Sequence, residues 1–178
     1  MRTVTSAGDA IKGLYSTIAG GPTVGFEGRY SPFNQVPAKA IDNNLSTKYL
    51  NFGTTSTMNA LVSNPGKNSG FYITPNVGVS LVNGVRFATG EDFPERDPLT
   101  MTFEGTNSTN LNASSVWTLL YNGSTGLDSI IPPARSSYGN IATFTNNVYY
   151  KSYRLLVLTQ RGIQDSVQYA ECQIMEFY

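Results

Sequence analysis

Period-two alternation, cut at short intervals by turn residues, is the pattern that most restricts how this chain can fold. Leu99, Met101 and Phe103 alternate with Thr100, Thr102 and Glu104, and Val85 and Phe87 alternate with Arg86 and Ala88. A strand that buries one face and wets the other gives this pattern. Trp117 through Tyr121, Tyr153 through Thr159 and Tyr169 through Phe177 continue it. Asn83-Gly84, Asn122-Gly123 and Pro132-Pro133 punctuate the series with residues suited to turns. Many short strands between such turns predict an all-β, antiparallel β-sandwich. Helix is confined to single turns expected at 8–14 and 37–41. Asn107 to Ser115 reads as a polar, exposed loop between two strands.

At 178 residues, with no sequence repeat and no linker-like charge run, the chain is expected to form one domain over 1–178, with 1–20 as an N-terminal lead-in. Charged residues are 13%, against about a quarter in ordinary soluble domains. Twelve basic side chains balance twelve acidic ones, which argues against nucleic acid or an anionic membrane as partner. No apolar run approaches membrane-spanning length, so membrane insertion is not expected. The first residues lack the apolar stretch of a secretory signal. The chain is therefore read either as intracellular or as a fragment of a larger protein.

There is no His. This removes the commonest general acid–base group and the Ser-His-Asp and Cys-His arrangements. The single cysteine, Cys172, permits no internal disulfide and alternates with polar neighbours, so it reads as a small buried hydrophobe. Asp92 and Asp97 are loop carboxylates of the kind that hydrolyse glycosides without His. Nothing in their spacing shows a raised acid beside an ionised partner, and an enzyme is not expected.

The stretch from Lys39 to Leu50 packs Asp42, Asn43, Asn44, Ser46 and Thr47 into one short turn before Tyr49. It offers many oxygens and no soft ligand, which suits a hard cation such as calcium. An ion-free Asx turn would satisfy the same residues. A second concentration of charge falls in Thr89 to Pro98, with four carboxylates, Arg96 and the aromatic Phe93. Such groups make directional hydrogen bonds to sugar hydroxyls, and Phe93 would stack on a sugar ring. The alternative is a clamp in which Glu95 and Asp97 pair with Arg96 and fix the loop. Tyr49 and Trp117 read as core residues. Tyr138 and Arg161, both expected in loops, are further candidates for the same end.

Four segments in order resemble discoidin (coagulation factor type C) domains and related galactose-binding-like carbohydrate-binding modules. They are Ala40-Ile41-Asp42-Asn43-Asn44 with Thr47 and Tyr49; Val82 through Phe87; Thr102 through Asn107 leading to Trp117; and Tyr150 through Leu155 followed by Ala170-Glu171. The resemblance runs from about residue 20 to the end. Thr47 to Gly53 and Glu95 to Pro98 are also similar to segments of bacterial and animal surface-protein domains. It implies a jelly-roll sandwich whose end loops take the ligand. It also implies a structural calcium held by the carboxylates of Asp42 and Glu171, by Thr47, and by the carbonyls of Lys39 and Asn44. Asn43 stands where the family pattern has Gly, a position Asn tolerates.

The implied ligand set is Asp92, Phe93, Glu95, Arg96, Asp97, Tyr138 and Arg161, facing a glycan or glycoprotein surface. The resemblance implies a non-catalytic carbohydrate-recognition module, extracellular or at a cell surface. The alternative is a protein–protein adhesion or assembly domain without a sugar pocket. Asn44, Asn107, Asn112 and Asn122 each begin a glycosylation sequon, and chance matches are expected in so Asn-rich a chain.

Overall fold

The alternation along residues 98–106 sets the layers. Met101 and Phe103 enter the main core, whereas Glu104 turns to the opposite face and meets Arg154. The computed structural model describes residues 1–25, 34–53, 66–113 and 116–178. Its strands are β1 (Arg2–Thr3), β2 (Ala10–Leu14), β3 (Tyr49–Asn51), β4 (Ser69–Thr74), β5 (Gly84–Ala88) and β6 (Pro98–Thr106). They continue with β7 (Thr118–Ser124), β8 (Tyr138–Thr143), β9 (Ser152–Gln160), β10 (Val167–Tyr169) and β11 (Glu171–Glu176). A four-stranded sheet in the order β1-β11-β5-β8 faces a five-stranded sheet in the order β2-β4-β9-β6-β7, and β3 pairs with β10. The named strand pairs are antiparallel.

Phe71, Ile73, Val85, Phe87, Met101, Phe103, Tyr153, Leu155, Val157, Cys172 and Ile174 fill the space between the sheets. Cys172 is buried as expected, and burial pushes its thiol pKa well above the usual value. Tyr49 and Tyr169 meet edge to face at 5.6 Å inside this core, and Tyr169 meets Phe87 in the same way at 5.0 Å.

Residues 1–20 contribute a strand to each sheet, and two expectations from the sequence need correcting nearby. The segment 8–14 is not a helical turn, because Ala10–Leu14 pairs along β4 as an edge strand. Its apolar residues fall three apart because Ile11 packs on the main core while Leu14 joins a separate cluster. The strand expected over 169–177 breaks at Ala170, with Tyr169 ending β10 and Glu171 beginning β11. The 3-10 turn at Pro37–Ala40 is where the sequence placed one.

That separate cluster is a second small core on the outer face of the five-stranded sheet. Leu14, Tyr72, Trp117 and Leu156 form it, with Leu111 and Val116 packed alongside. The 107–115 loop thus covers this face through Leu111, as far as its described residues reach. Arg154 and Glu104, both fully buried, form a two-pronged pair here at 2.6 and 3.0 Å. Arg154 also donates to the Gly21 carbonyl and Thr23 Oγ1, Glu104 accepts from the Gly20 amide, and the guanidinium lies 4.7 Å from the Trp117 ring. Every polar arm of this pair is engaged, which is the condition under which a buried ion pair is tolerated.

Candidate functional site

The antiparallel registers bring the end of β5, the start of β6, the start of β8, the end of β9 and the start of β11 to one end of the sandwich. Loops 89–97, 125–137 and 161–166 gather there. Their bases are cross-tied. Asp97 is fully buried and accepts two bonds from Arg135, at 2.8 and 2.6 Å, while Arg161 lies 3.6 Å away. Arg161 itself donates to the carbonyls of Ser129 (2.8 Å) and Leu127. Thr89 Oγ1 donates to the Ala134 carbonyl at 2.7 Å, and Gly162 approaches so near that a Cβ there would meet the Glu95 Cβ at 2.7 Å. Arg96 reaches across to Asp165 at 3.0 Å.

The charge-rich loop is therefore a clamp, with partners other than those its sequence suggested. Arg96 pairs with Asp165 rather than with its neighbours, and Asp97 turns inward to Arg135 because its extended backbone buries the side chain under the loop. Asp92 accepts from Lys48 at 2.5 Å and from Gln168 at 2.8 Å. Burial alone would raise its pKa, but these two hydrogen bonds and the nearby Lys48 and Arg96 charges hold it below the ordinary value. Lys48 is buried and also meets Glu91 at 2.9 Å.

Phe93 and Glu95 remain on the surface. Phe93 is 47% exposed, with the Arg96 guanidinium 4.3 Å from its ring centroid. Its backbone is left-handed, at φ 37° and ψ 74°, a region that disfavours a side chain of this size. Nearby, Asn34, Gln35, Lys39, Ser46, Thr47, Lys48 and Glu91 line a polar recess of ≈ 130 Å³. Clamp and recess share Lys48 and Glu91.

Tyr138 lies at the same end, on the edge strand of the four-stranded sheet. It is the first residue of β8 rather than a loop residue, paired with Ala88. The Arg86 guanidinium stacks 4.5 Å from its ring, and its hydroxyl accepts from Gln173 at 2.9 Å. That stack extends the strand beyond the turn that the sequence implied.

Asp42 and Glu171 are brought together, although 129 positions separate them. The Asn44 amide donates to Asp42 Oδ1 at 3.1 Å and to Glu171 Oε1 at 3.0 Å, so both carboxylates converge on one N–H. Thr47 Oγ1 donates to Asp42 at 2.8 Å, and Lys39 Nζ stands 3.1 Å from Asp42 Oδ2. Burial raises the Glu171 pKa to about 7, with the neighbouring Asp42 carboxyl adding to the rise and amide donation from Asn44 opposing it. Two carboxylates, the Thr47 hydroxyl and the Asn44 carbonyl beside it are donors of the kind a hard cation takes, and such an ion would displace the Lys39 ammonium from Asp42. Among the described residues no group of three or more acidic, His or Cys side chains is placed to hold a metal ion, so these two carboxylates would supply the negative charge of such a site. Asn43 takes the left-handed conformation its place in the pattern requires, at φ 58°.

The sequence did not single out Lys48, Arg135, Asp165 or Gln168. Arg135 follows two prolines in a charge-poor chain, which is its one local signal. The other three acquire partners only when distant loops meet. Of the sequons, Asn44 and Asn107 use their side chains in hydrogen bonds, Asn122 is exposed on β7, and the Asn112 sequon ends at Ser114, outside the described residues.

No protein-family model matches the chain, and no curated protein matches it in sequence. Solved structures do match in fold. The family 32 carbohydrate-binding module of Clostridium perfringens NanJ, in complex with galactose, superposes with a TM-score of 0.63 at 10% identity, covering 98% of each chain. A second Clostridium perfringens module of that family, in complex with GalNAc-β-1,3-galactose, gives 0.62 at 10% identity over 98% of this chain and 100% of that one. A chitosan-binding module from the chitosanase/glucanase of Paenibacillus sp. IK-5 gives 0.59 at 11% identity over 99% and 100%. The fold is thus the galactose-binding-like β-sandwich of the discoidin type.

Proposed function

We propose that this chain is a non-catalytic carbohydrate-recognition module whose ligand meets the rim formed by Phe93, Glu95 and Arg96 beside the polar recess. Asp92, Asp97 and Arg161 hold that rim in shape from within, and Tyr138 is a flanking position. The observation that carries the reading is Phe93: an exposed ring held in a costly backbone conformation on a loop tied down through Asp92, Arg96 and Asp97. Strain of this kind persists where the surroundings enforce it, and it keeps the ring ready to stack on a sugar. The sugars held by the fold neighbours support the ligand class.

A glycan array followed by calorimetric titration with the sugars it identifies tests this. Binding that falls about tenfold or more in Phe93→Ala supports the site, since one aromatic stack contributes about 1 kcal/mol or more. Silence across neutral and amino sugars overturns it.

Calcium belongs to the same proposal as a structural ion. Asp42, Glu171 and Thr47, with the Lys39 and Asn44 carbonyls, would hold it and tie the early loop to β11. The ion would supply positive charge where two carboxylates face each other. An extracellular or cell-surface setting suits such a module. Among the described residues no helix is long and apolar enough to cross a membrane.

A second reading, protein–protein adhesion or assembly, rests on a separate observation. Ile130, Ile131 and Ile163 are 99%, 81% and 90% exposed on two of the end loops. Sedimentation over a wide concentration range, with and without Ile130→Ser/Ile131→Ser, distinguishes that reading by self-association that the changes abolish.

A further inference from the structure

The opposite end of the sandwich carries a second recess, of ≈ 140 Å³, lined by Thr74, Ser108, Thr109, Leu111, Lys151 and Ser152. Its floor is built from the end of β4 and the start of β9, where Thr74 Oγ1 and Ser152 Oγ share a hydrogen bond of 2.7 Å. Its wall is the 107–113 loop, fixed in place by local bonds. The Ser108 amide donates to Thr106 Oγ1 at 3.1 Å, and the Asn110 amide donates to Ser108 Oγ at 3.1 Å. The Asn107 side chain spans to the segment that leads into β9, accepting from the Lys151 amide at 2.8 Å and donating to the Tyr149 carbonyl at 3.0 Å. Leu111, anchored against the Trp117 cluster, gives the recess one apolar side.

Lys151 sets the chemistry. Among the described residues no acidic side chain pairs with it, nor with Lys12, Lys67 or Arg86, whereas the other described cationic side chains are so engaged. Acidic groups at this end are already committed: Asp9 accepts from Ser6 and Asn76, and Glu176 pairs with Arg2. Tyr150 points into the core, so its neighbours Tyr149 and Lys151 point outward together, and the Tyr149 ring stands 55% exposed. One ammonium without an acidic partner, the Thr74 and Thr109 hydroxyls and an apolar wall make a combination distinct from the first rim. There, loops 89–97, 125–137 and 161–166 carry six acidic residues against three arginines, which disfavours an anionic ligand.

We propose that this recess is a second saccharide site, selective for a sugar residue bearing a carboxylate, with Lys151 binding the acid group. Thr109 and Thr74, the latter steadied by its bond to the buried Ser152, offer hydroxyls to the ring, Ser108 is spent on holding the wall through Asn110, and Leu111 contacts the apolar face of the ring. A module with sites at both ends would bridge two stretches of a polymer, or one neutral and one acidic chain, gaining avidity without higher affinity at either end.

Titrations of the isotopically labelled chain, followed by amide shifts in two-dimensional NMR, test this with glucuronate, galacturonate, methyl galactoside and sodium sulfate as probes. The expected result is saturable shifts at Ser108, Lys151 and Ser152 with one or both uronates. Lys151→Met keeps the aliphatic stem and should weaken that binding about tenfold, the range of a charge-assisted hydrogen bond. Phe93→Ala should leave it unchanged, which separates failure of this site from failure of the first. Three outcomes overturn the proposal: no saturable uronate shift at these residues, undiminished binding in Lys151→Met, or sulfate or methyl galactoside binding there as tightly as the uronates.

Discussion

Glu104 and Glu171 are both buried glutamates, yet they keep opposite company. Glu104 faces the guanidinium of Arg154 and accepts a backbone amide as well. Glu171 faces another acid, Asp42, and has only backbone amides on its side. Charge complementarity makes the first knot self-sufficient, while the second, with Lys39 on Asp42 alone, keeps one negative charge in excess that a proton or a cation between the carboxylates would offset. The first holds the outer face of a sheet together; the second waits on solution conditions.

The contrast is broken most severely at Glu104. Glu104→Gln leaves Arg154 buried with its charge unmatched, and should cost about 3–5 kcal/mol in a denaturant titration. Arg154→Met paired with Glu104→Leu should recover much of that loss, because an apolar pair of similar volume removes the charge altogether. Recovery would show that the knot's own worth lies in matching. A double variant no better than the single one would show that the loops at Gly20 and Thr23 depend on the guanidinium itself.

Asp97 offers an intermediate case, since its partner Arg135 is partly exposed and can find water. Asp97→Asn should cost about 2–3 kcal/mol, less than Glu104→Gln, by the cost of breaking a charge-assisted bond to a buried group. It should also loosen loops 89–97 and 125–137 together, read as faster amide exchange in both. Exchange confined to one loop would mean that Asp97 does not join them.

The strand faces and the members of the Asp42–Glu171 knot were legible in advance, whereas the pairing of Glu104 with Arg154 and the cross-ties of the end loops were not. Alternation in 99–104 and 85–88 fixes which side chains face inward, because a strand's faces follow from its period. The polar turn at 42–47 announced itself through its concentration of oxygens, and Glu171 joined it by resemblance. Lys48, Arg135, Asp165 and Gln168 gave no such sign. Their partners lie 38 to 76 positions away on loops, where no periodicity relates one residue to the next. Ile11 and Leu14 misled for a related reason: they face two different cores, so their spacing imitates a helix.

At Glu171 the expected effect is smaller and depends on pH. Its carboxyl has a pKa near 7 when folded, against 4.5 as the ordinary value. Between those values the folded chain holds a proton that the unfolded chain has released. Stability from this group is therefore full below about pH 4.5 and is lost as the pH rises to about 7, on the order of 2 kcal/mol. Glu171→Gln should flatten that slope. Calcium should flatten it too in the unchanged chain, by holding both carboxylates ionised, and should raise the melting temperature at pH 7.5 but not that of Glu171→Gln. A melting temperature indifferent to calcium and to chelator would leave the shared proton as the whole account of the pair.

Phe93 extends the comparison from charge to conformation, with the smallest effect on stability. Like the facing carboxylates, its left-handed backbone is a cost that folding alone does not require. Phe93→Gly removes the cost of a left-handed side chain but loses the ring's contact with Arg96 and adds chain entropy. These terms nearly cancel, so stability should rise or stay within about 1 kcal/mol of the original. Binding to whichever sugar the array identifies should nevertheless fall about tenfold, as a lost aromatic stack requires. Stability kept and binding lost would mark Phe93 as held for recognition. A clear loss of stability with sugar affinity intact would make it one more brace in the clamp, and the rim would then lack a stacking surface.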